Sequence, residues 1–68
     1  MNPKGEALQA LKENGYQKMA GRKNARHDLY FNAELHSRIP VSRSSHFDEY
    51  DRDVILREIK QAKGRGKK

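Results

Sequence analysis

The sequence predicts an α+β domain with the order α-β-β-β-α, in which a three-stranded antiparallel sheet carries two helices on one face. Three observations predict this class. Apolar residues recur at helical spacing near both ends of the chain, they alternate with polar residues in its middle, and polar or Gly-containing turns separate the alternating segments. Because each helix and the sheet then has one apolar face, placing both helices on the same side of the sheet is the simplest way to bury them.

The first helix is predicted to begin at Asn2-Pro3 and to end at Asn14-Gly15. Asn is a favoured N-cap residue, and Pro is tolerated at the first helical position because no N–H is needed there. Gly after the last turn adopts the left-handed conformation that ends many helices. Three apolar residues form the buried stripe: Ala7, Leu8 and Leu11.

The middle of the chain predicts three strands, because its apolar and polar residues alternate. They are expected at residues 16–21, 27–31 and 35–41. Residues 21–26 form a basic turn between the first two, and residues 32–34 form a short hairpin turn. Pro40 has no N–H to donate, which favours a position at a strand end or on a free edge.

Alternation also assigns side chains to the two faces of the sheet. In the second strand, His27 shares a face with Leu29 and Phe31, and we expect the helices to cover this face because it is the more apolar one. Twist or a bulge at the first residue would then turn His27 outward. In the third strand one face carries Leu35, Ser37, Ile39 and Val41.

A second helix is predicted after a loop at residues 42–45, with Asp48 or Asp51 as its cap. Acidic residues in its first turn and lysines in its last turn complement the helix dipole. Its core stripe consists of Ile55, Ile59 and Ala62. Residues 63–68 alternate glycine with cations and contain no apolar side chain, so we expect one domain at residues 1–62 and a disordered basic tail.

The distribution of charge points to a polyanionic partner. The 68 residues include 15 Lys and Arg against nine Asp and Glu, a formal charge of +6. Residues 16–46 hold six of the cations, only two acids and all three histidines. The tail holds four more cations, whereas acids exceed cations in residues 47–62. A basic block within the folded part favours contacts with phosphates.

Several functional classes are excluded or disfavoured. The chain has no cysteine, no nucleotide-binding glycine motif and no apolar run long enough for a membrane span or a signal peptide. The spacing of His27, His36 and His46 matches no common zinc motif. We therefore expect a cytoplasmic protein without metal or cofactor.

His27 is the candidate for catalysis because it follows a basic turn. Cations beside an imidazole favour its neutral form, which accepts a proton. In RNA, a base that deprotonates the 2′-hydroxyl and cations that stabilise the phosphoryl oxygens suffice for cleavage. The residues expected to bind RNA are Arg22, Lys23, Arg26, Arg38 and Arg43. From spacing alone, a solvated or phosphate-binding His27 remains an alternative.

Beyond these patterns, the chain resembles the HicA family of toxin-antitoxin ribonucleases over about residues 7 to 62. Two motifs of the resemblance lie in the first half of the chain: a helix followed by Gly15-Tyr16, and a basic turn that ends at Ala25-Arg26-His27. Two more follow, namely His46 and a final helix that ends with Leu56-Arg-Glu-Ile59-Lys-Gln-Ala62. The strands Leu29-Tyr30 and Ile39-Pro-Val41 lie between the basic turn and His46.

The resemblance implies a double-stranded-RNA-binding-domain-like fold and metal-independent cleavage of mRNA by a single histidine, which would be His27. It also implies inhibition by a HicB-like antitoxin that covers the His27 surface. Ala25-Arg26 stands where the family pattern has Gly-Ser, so the Arg26 side chain either alters access or adds a phosphate contact. His46 matches a frequent position of the family and has a structural role as its alternative.

Two other functions remain open at this point. A non-catalytic module of the same fold would recognise RNA by its phosphates and 2′-hydroxyls. A protein whose basic face binds only an acidic partner is equally compatible with the composition.

Overall fold

The computed structural model describes residues 2–19, 21 and 23–66, and its element order is the predicted α-β-β-β-α. The elements are α1 (Pro3–Glu13), β1 (Gln17–Lys18), β2 (His27–Asn32), β3 (Ser37–Ser42) and α2 (Glu49–Gly66). The strands form one antiparallel sheet in the order β1-β2-β3, so that β2 is central. The predicted fold class is confirmed.

Both ends of α1 are formed as predicted. The Asn2 side-chain oxygen accepts a hydrogen bond from the Gly5 backbone N–H at 2.7 Å, and Pro3 is the first helical residue. Gly15 has a φ of +83° after the last turn. A Cβ at this position would also lie 3.2 Å from Asn32 Nδ2, so the strained conformation and the close approach both favour glycine.

The core lies between the two helices and one face of the sheet. It consists of Ala7, Leu11, Tyr16, Ile39, Val41, Ile55 and Ile59. Ala62 on α2 is also fully buried. Because the cluster includes residues from both helices and from alternate positions of β3, both helices cover the same face of the sheet.

The register of β2 reverses the expected assignment of its faces. Tyr30 pairs with Ile39 and Asp28 pairs with Val41, and directly paired residues point to the same side of a sheet. Because Ile39 and Val41 are buried beneath the helices, His27, Leu29 and Phe31 lie on the opposite face, which the helices leave open. The expectation that this face is covered is wrong, and His27 needs no bulge to point away from the core.

Polar partners allow the more polar face of β2 to be buried. Asn32, only 5% exposed, donates from Nδ2 to the Asn14 carbonyl at 2.7 Å and accepts from the Leu35 N–H at 3.0 Å. Buried polar groups are stable when they are hydrogen-bonded in this way. Similarly, the hydroxyl of the buried Tyr16 donates to Ser37 Oγ at 2.8 Å.

Two strands are shorter than predicted. Among the described residues of the expected first strand, Gln17 and Lys18 form β1, and the Met19 N–H after them donates to the Leu29 carbonyl at 2.8 Å. The third strand begins at Ser37 instead of Leu35, because residues 33–36 form the turn and His36 has a φ of +51°. Pro40 lies in the edge strand β3, as its missing N–H predicts.

Helix α2 begins with reciprocal bonds and extends further than predicted. The Asp51 N–H donates to Asp48 Oδ1 and the Asp48 N–H donates to Asp51 Oδ2, both at 3.1 Å, which is a capping box. The helix continues through Gly66, so residues 63–66 are helical where a disordered tail was expected. Lys63 Nζ donates to Asn14 Oδ1 at 2.9 Å, and this contact with α1 holds the extra turn. Among the described residues, no helix is both long and apolar enough to cross a membrane.

Candidate functional site

His27 is exposed at one end of the sheet. It is the first residue of β2 and lies opposite Ser42, the last residue of β3. The basic turn ends immediately before His27. The loop that connects β3 to α2 begins after Ser42, beside His27. Two connecting segments therefore meet at this histidine.

A basic cavity of about 320 Å³ surrounds one side of His27. Arg26, His27 and Arg43, three of the residues singled out from the sequence, line it together. Two hydroxyl-bearing residues, Ser42 and Ser44, complete the lining. Guanidinium and hydroxyl groups are common ligands of phosphate oxygens, so residues of these types can bind a phosphodiester, although most of the surface that lines the cavity is apolar.

Arg43 fastens the basic turn to the end of the sheet. Its Nε donates to Asp28 Oδ1 at 2.8 Å, and its Nη1 donates to the Lys23 carbonyl at 3.2 Å. Its backbone N–H donates to the Arg26 carbonyl at 3.0 Å. Since Arg43 bonds to the carbonyls of two residues of the turn that precedes His27, its role in the described structure is to position that turn.

The Arg43 contact also changes the titration of Asp28. The hydrogen bond from the Arg43 guanidinium lowers the pKa of the Asp28 carboxyl below its ordinary value of 3.8, and Lys18 adds to this effect at 3.8 Å. Partial burial of the carboxyl, which is 17% exposed, acts in the opposite direction but is weaker. The ionised pair is therefore favoured in the folded protein.

This pair predicts a pH-dependent difference in stability. Because the folded carboxyl has the lower pKa, the stabilisation is present above the ordinary pKa and is lost as the pH falls through the folded value. We expect Asp28→Asn to lower the urea midpoint at pH 7 and to converge with wild type in strong acid. Arg43→Gln should also lower the midpoint at pH 7, but part of its loss should persist in strong acid because it also removes the bond to the Lys23 carbonyl. A constant offset between wild type and Asp28→Asn from neutral to strongly acidic pH would contradict the prediction.

The other predicted RNA-binding residues lie in different places. Lys23 is exposed in the basic turn, next to the cavity through its bond with Arg43. Arg38 is exposed on the open face beside Phe31, but it is four residues from Ser42, about 13 Å along the strand. Arg22 lies outside the described residues. Arg38 is thus separated from His27, whereas Lys23 and Arg26 are near it.

A second cavity, of about 290 Å³, lies on the other side of His27. It is bounded by the end of β3 and the start of α2, and its lining includes His27, Pro40, Ser42, Phe47, Tyr50 and Val54. Tyr50 is 71% exposed although its ring is large and mostly apolar. Sequence reasoning missed this cavity, because no local pattern shows that Phe47 and Tyr50 lie beside His27.

Neither of the other two histidines lines these cavities. His36 lies in the turn between β2 and β3, at the opposite end of β3 from Ser42. His46 is exposed in the loop before α2, where its backbone N–H donates to Ser44 Oγ at 3.0 Å. Within residues 2–19, 21 and 23–66, no three His, Asp or Glu side chains are grouped as metal ligands would be.

Fold and site together describe a small α+β protein with an exposed histidine between a basic cavity and an aromatic one. No family model, curated protein or solved structure matches the chain. The resemblance to the HicA family therefore stays a prediction.

Proposed function

We propose that the protein is a toxin of a toxin-antitoxin system, a metal-independent endoribonuclease that cleaves mRNA with His27 as its catalytic residue. The observation that carries the proposal is the position of His27, exposed in the wall of a cavity that also contains Arg26 and Arg43. Acting on mRNA, the protein works in the cytoplasm.

The proposed reaction uses groups that this surface provides. The neutral imidazole of His27 accepts the proton of an RNA 2′-hydroxyl, and the resulting oxygen attacks the adjacent phosphorus. The bond from phosphorus to the 5′-oxygen breaks, and that oxygen takes a proton from solvent. The products are a 2′,3′-cyclic phosphate and a 5′-hydroxyl. The Arg26 guanidinium stabilises the charge that develops on the phosphoryl oxygens.

The proposed protein partner is a HicB-like antitoxin that covers the His27 surface. Because His27 lies on the face that the helices leave open, a protein bound there would exclude RNA directly. A complex of the two proteins in which His27 remains accessible to RNA would contradict direct occlusion.

Product chemistry tests the proposal. We expect the purified protein, in low salt with EDTA, to convert end-labelled single-stranded RNA into fragments with 2′,3′-cyclic phosphate ends. A 2′-O-methyl RNA of the same sequence is the control, and it should stay intact because its nucleophile is blocked. Dependence of cleavage on a divalent ion, or fragments with 3′-hydroxyl ends, would contradict the mechanism.

A non-catalytic RNA-binding module is the second candidate. It is favoured by Arg26, whose long side chain stands where the family pattern has a small residue, and which lines the cavity beside His27. Salt-sensitive retention of RNA without any fragments would select this candidate over the nuclease. Failure to retain RNA even at low salt would exclude both.

A further inference from the structure

We propose that the aromatic cavity beside His27 binds one nucleobase of single-stranded RNA while the basic cavity holds the adjoining phosphate. This inference rests on the proposed function, because it names the form of RNA that the same surface takes. It assigns a binding role to Phe47 and Tyr50, which the sequence patterns left without one.

The arrangement of the two cavities supports a base and a phosphate side by side. His27 and Ser42, which face each other across the two strands, line both cavities. Arginines lie on one side of this pair of residues, and aromatic rings lie on the other. A nucleotide has the same division, with a charged phosphodiester joined through the sugar to a flat ring.

The size and lining of the aromatic cavity suit a base. At about 290 Å³ it is at the lower end of ligand-binding cavities, which begin near 300 Å³. Its lining includes the aromatic residues Phe47 and Tyr50, the apolar residues Pro40, Val54 and Ile55, and one acidic residue, Asp51. Aromatic rings stack on bases of any sequence because every base has a π-face.

The aromatic side chains stand on a well-fixed segment of backbone. Phe47 is partly buried against the core, immediately before the cap residue Asp48. Tyr50 lies in the first turn of α2, between the two aspartates that exchange hydrogen bonds. A platform held by these bonds loses little conformational freedom when a base stacks on it, which favours binding.

The same geometry selects single strands over duplexes. In a double helix each base is stacked between its neighbours, and a base must leave the stack before it can enter a side cavity. Single-stranded RNA requires no unpairing. The inference therefore predicts weaker binding to a duplex than to a single strand of equal charge.

Binding measurements on two uncleavable probes test the inference. One probe is a short single-stranded 2′-fluoro RNA, and the other is an abasic phosphodiester chain of the same length. We expect wild type to bind the base-bearing probe at least about fivefold more tightly. Tyr50→Ala should lower this preference several-fold while affinity for the abasic probe stays unchanged.

Two variants control for non-specific effects of the substitution. Tyr50→Phe keeps the ring and should keep the preference. Leu56→Ala removes an exposed apolar side chain elsewhere on α2 and should also keep it. Because Tyr50 is largely exposed, all three variants are expected to have the circular dichroism spectrum of wild type.

The outcomes separate this inference from the proposed function. If Tyr50→Ala leaves the preference for bases unchanged, or weakens both probes equally, the base site is overturned even when RNA is still cleaved. If wild type retains neither probe at low salt, the base site and the proposed function fall together. The inference is supported if wild type and Tyr50→Phe prefer the base-bearing probe and Tyr50→Ala does not. This holds whether or not the cleavage assay is positive.

Discussion

Replacing His27 by alanine is expected to lower the rate of RNA cleavage by about 10²- to 10⁴-fold, which is the usual contribution of a general base. His27 is the exposed imidazole in the lining of both described cavities, and imidazole is the side chain most often used as a general base. The loss should appear in kcat, because Arg26, the proposed phosphate ligand, remains in the variant. Affinity for RNA should change far less than the rate.

This prediction is tested in vivo by the growth of cells that express wild type or the His27→Ala variant. Wild type should arrest growth and degrade mRNA, whereas cells with His27→Ala should grow normally. The matched control is His46→Ala, which removes another exposed histidine but leaves intact the backbone bond from residue 46 to Ser44. Equal growth and intact mRNA with wild type and with His27→Ala would remove the catalytic assignment.

Replacing Leu11 by alanine is expected to cost about 2–5 kcal/mol of stability. Leu11 is fully buried in the core between the helices and the sheet, and the substitution leaves a cavity there. For a chain of 68 residues, typical values per residue correspond to a total stability of about 3–10 kcal/mol. The loss is therefore a large fraction of the total, and the urea midpoint of the variant should lie well below that of wild type.

Urea unfolding followed by circular dichroism tests this expectation. The control is Leu56→Ala, the same substitution at a side chain of α2 that is 39% exposed. Its unfolding free energy should fall by less than about 1 kcal/mol, because exposed side chains lose little on truncation. A similar loss in both variants would show that Leu11 does not occupy a tight core.

The helices were the most predictable part of the fold. Their caps depend on hydrogen bonds between residues three positions apart, as at Asn2 and at Asp48 with Asp51. A short stretch of sequence is therefore enough to recognise them. The end of α2 was harder to predict, because the last turn is held by the contact of Lys63 with Asn14 on the other helix. No local pattern reports a bond between residues so far apart.

The candidate site was predicted only in part, for the same reason. His27 and Arg26 are neighbours in sequence, so their proximity was foreseeable. The bonds of Arg43 to Asp28 and to the turn depend on the pairing of β2 with β3. The juxtaposition of Tyr50 with His27 likewise depends on how α2 packs beside β3. These contacts are tertiary, and periodicity carries no information about them.

Asn32 helps to fix the register of β2, although it lies at the opposite end of the strand from His27. A slip of β2 by one residue would exchange its two faces, so that His27 would point beneath the helices and Asp28 would point outward. The side-chain amide of Asn32 donates to the Asn14 carbonyl at the end of α1, and this long-range bond requires the present alignment of β2. The face of the sheet on which His27 lies thus depends in part on Asn32, at the other end of β2.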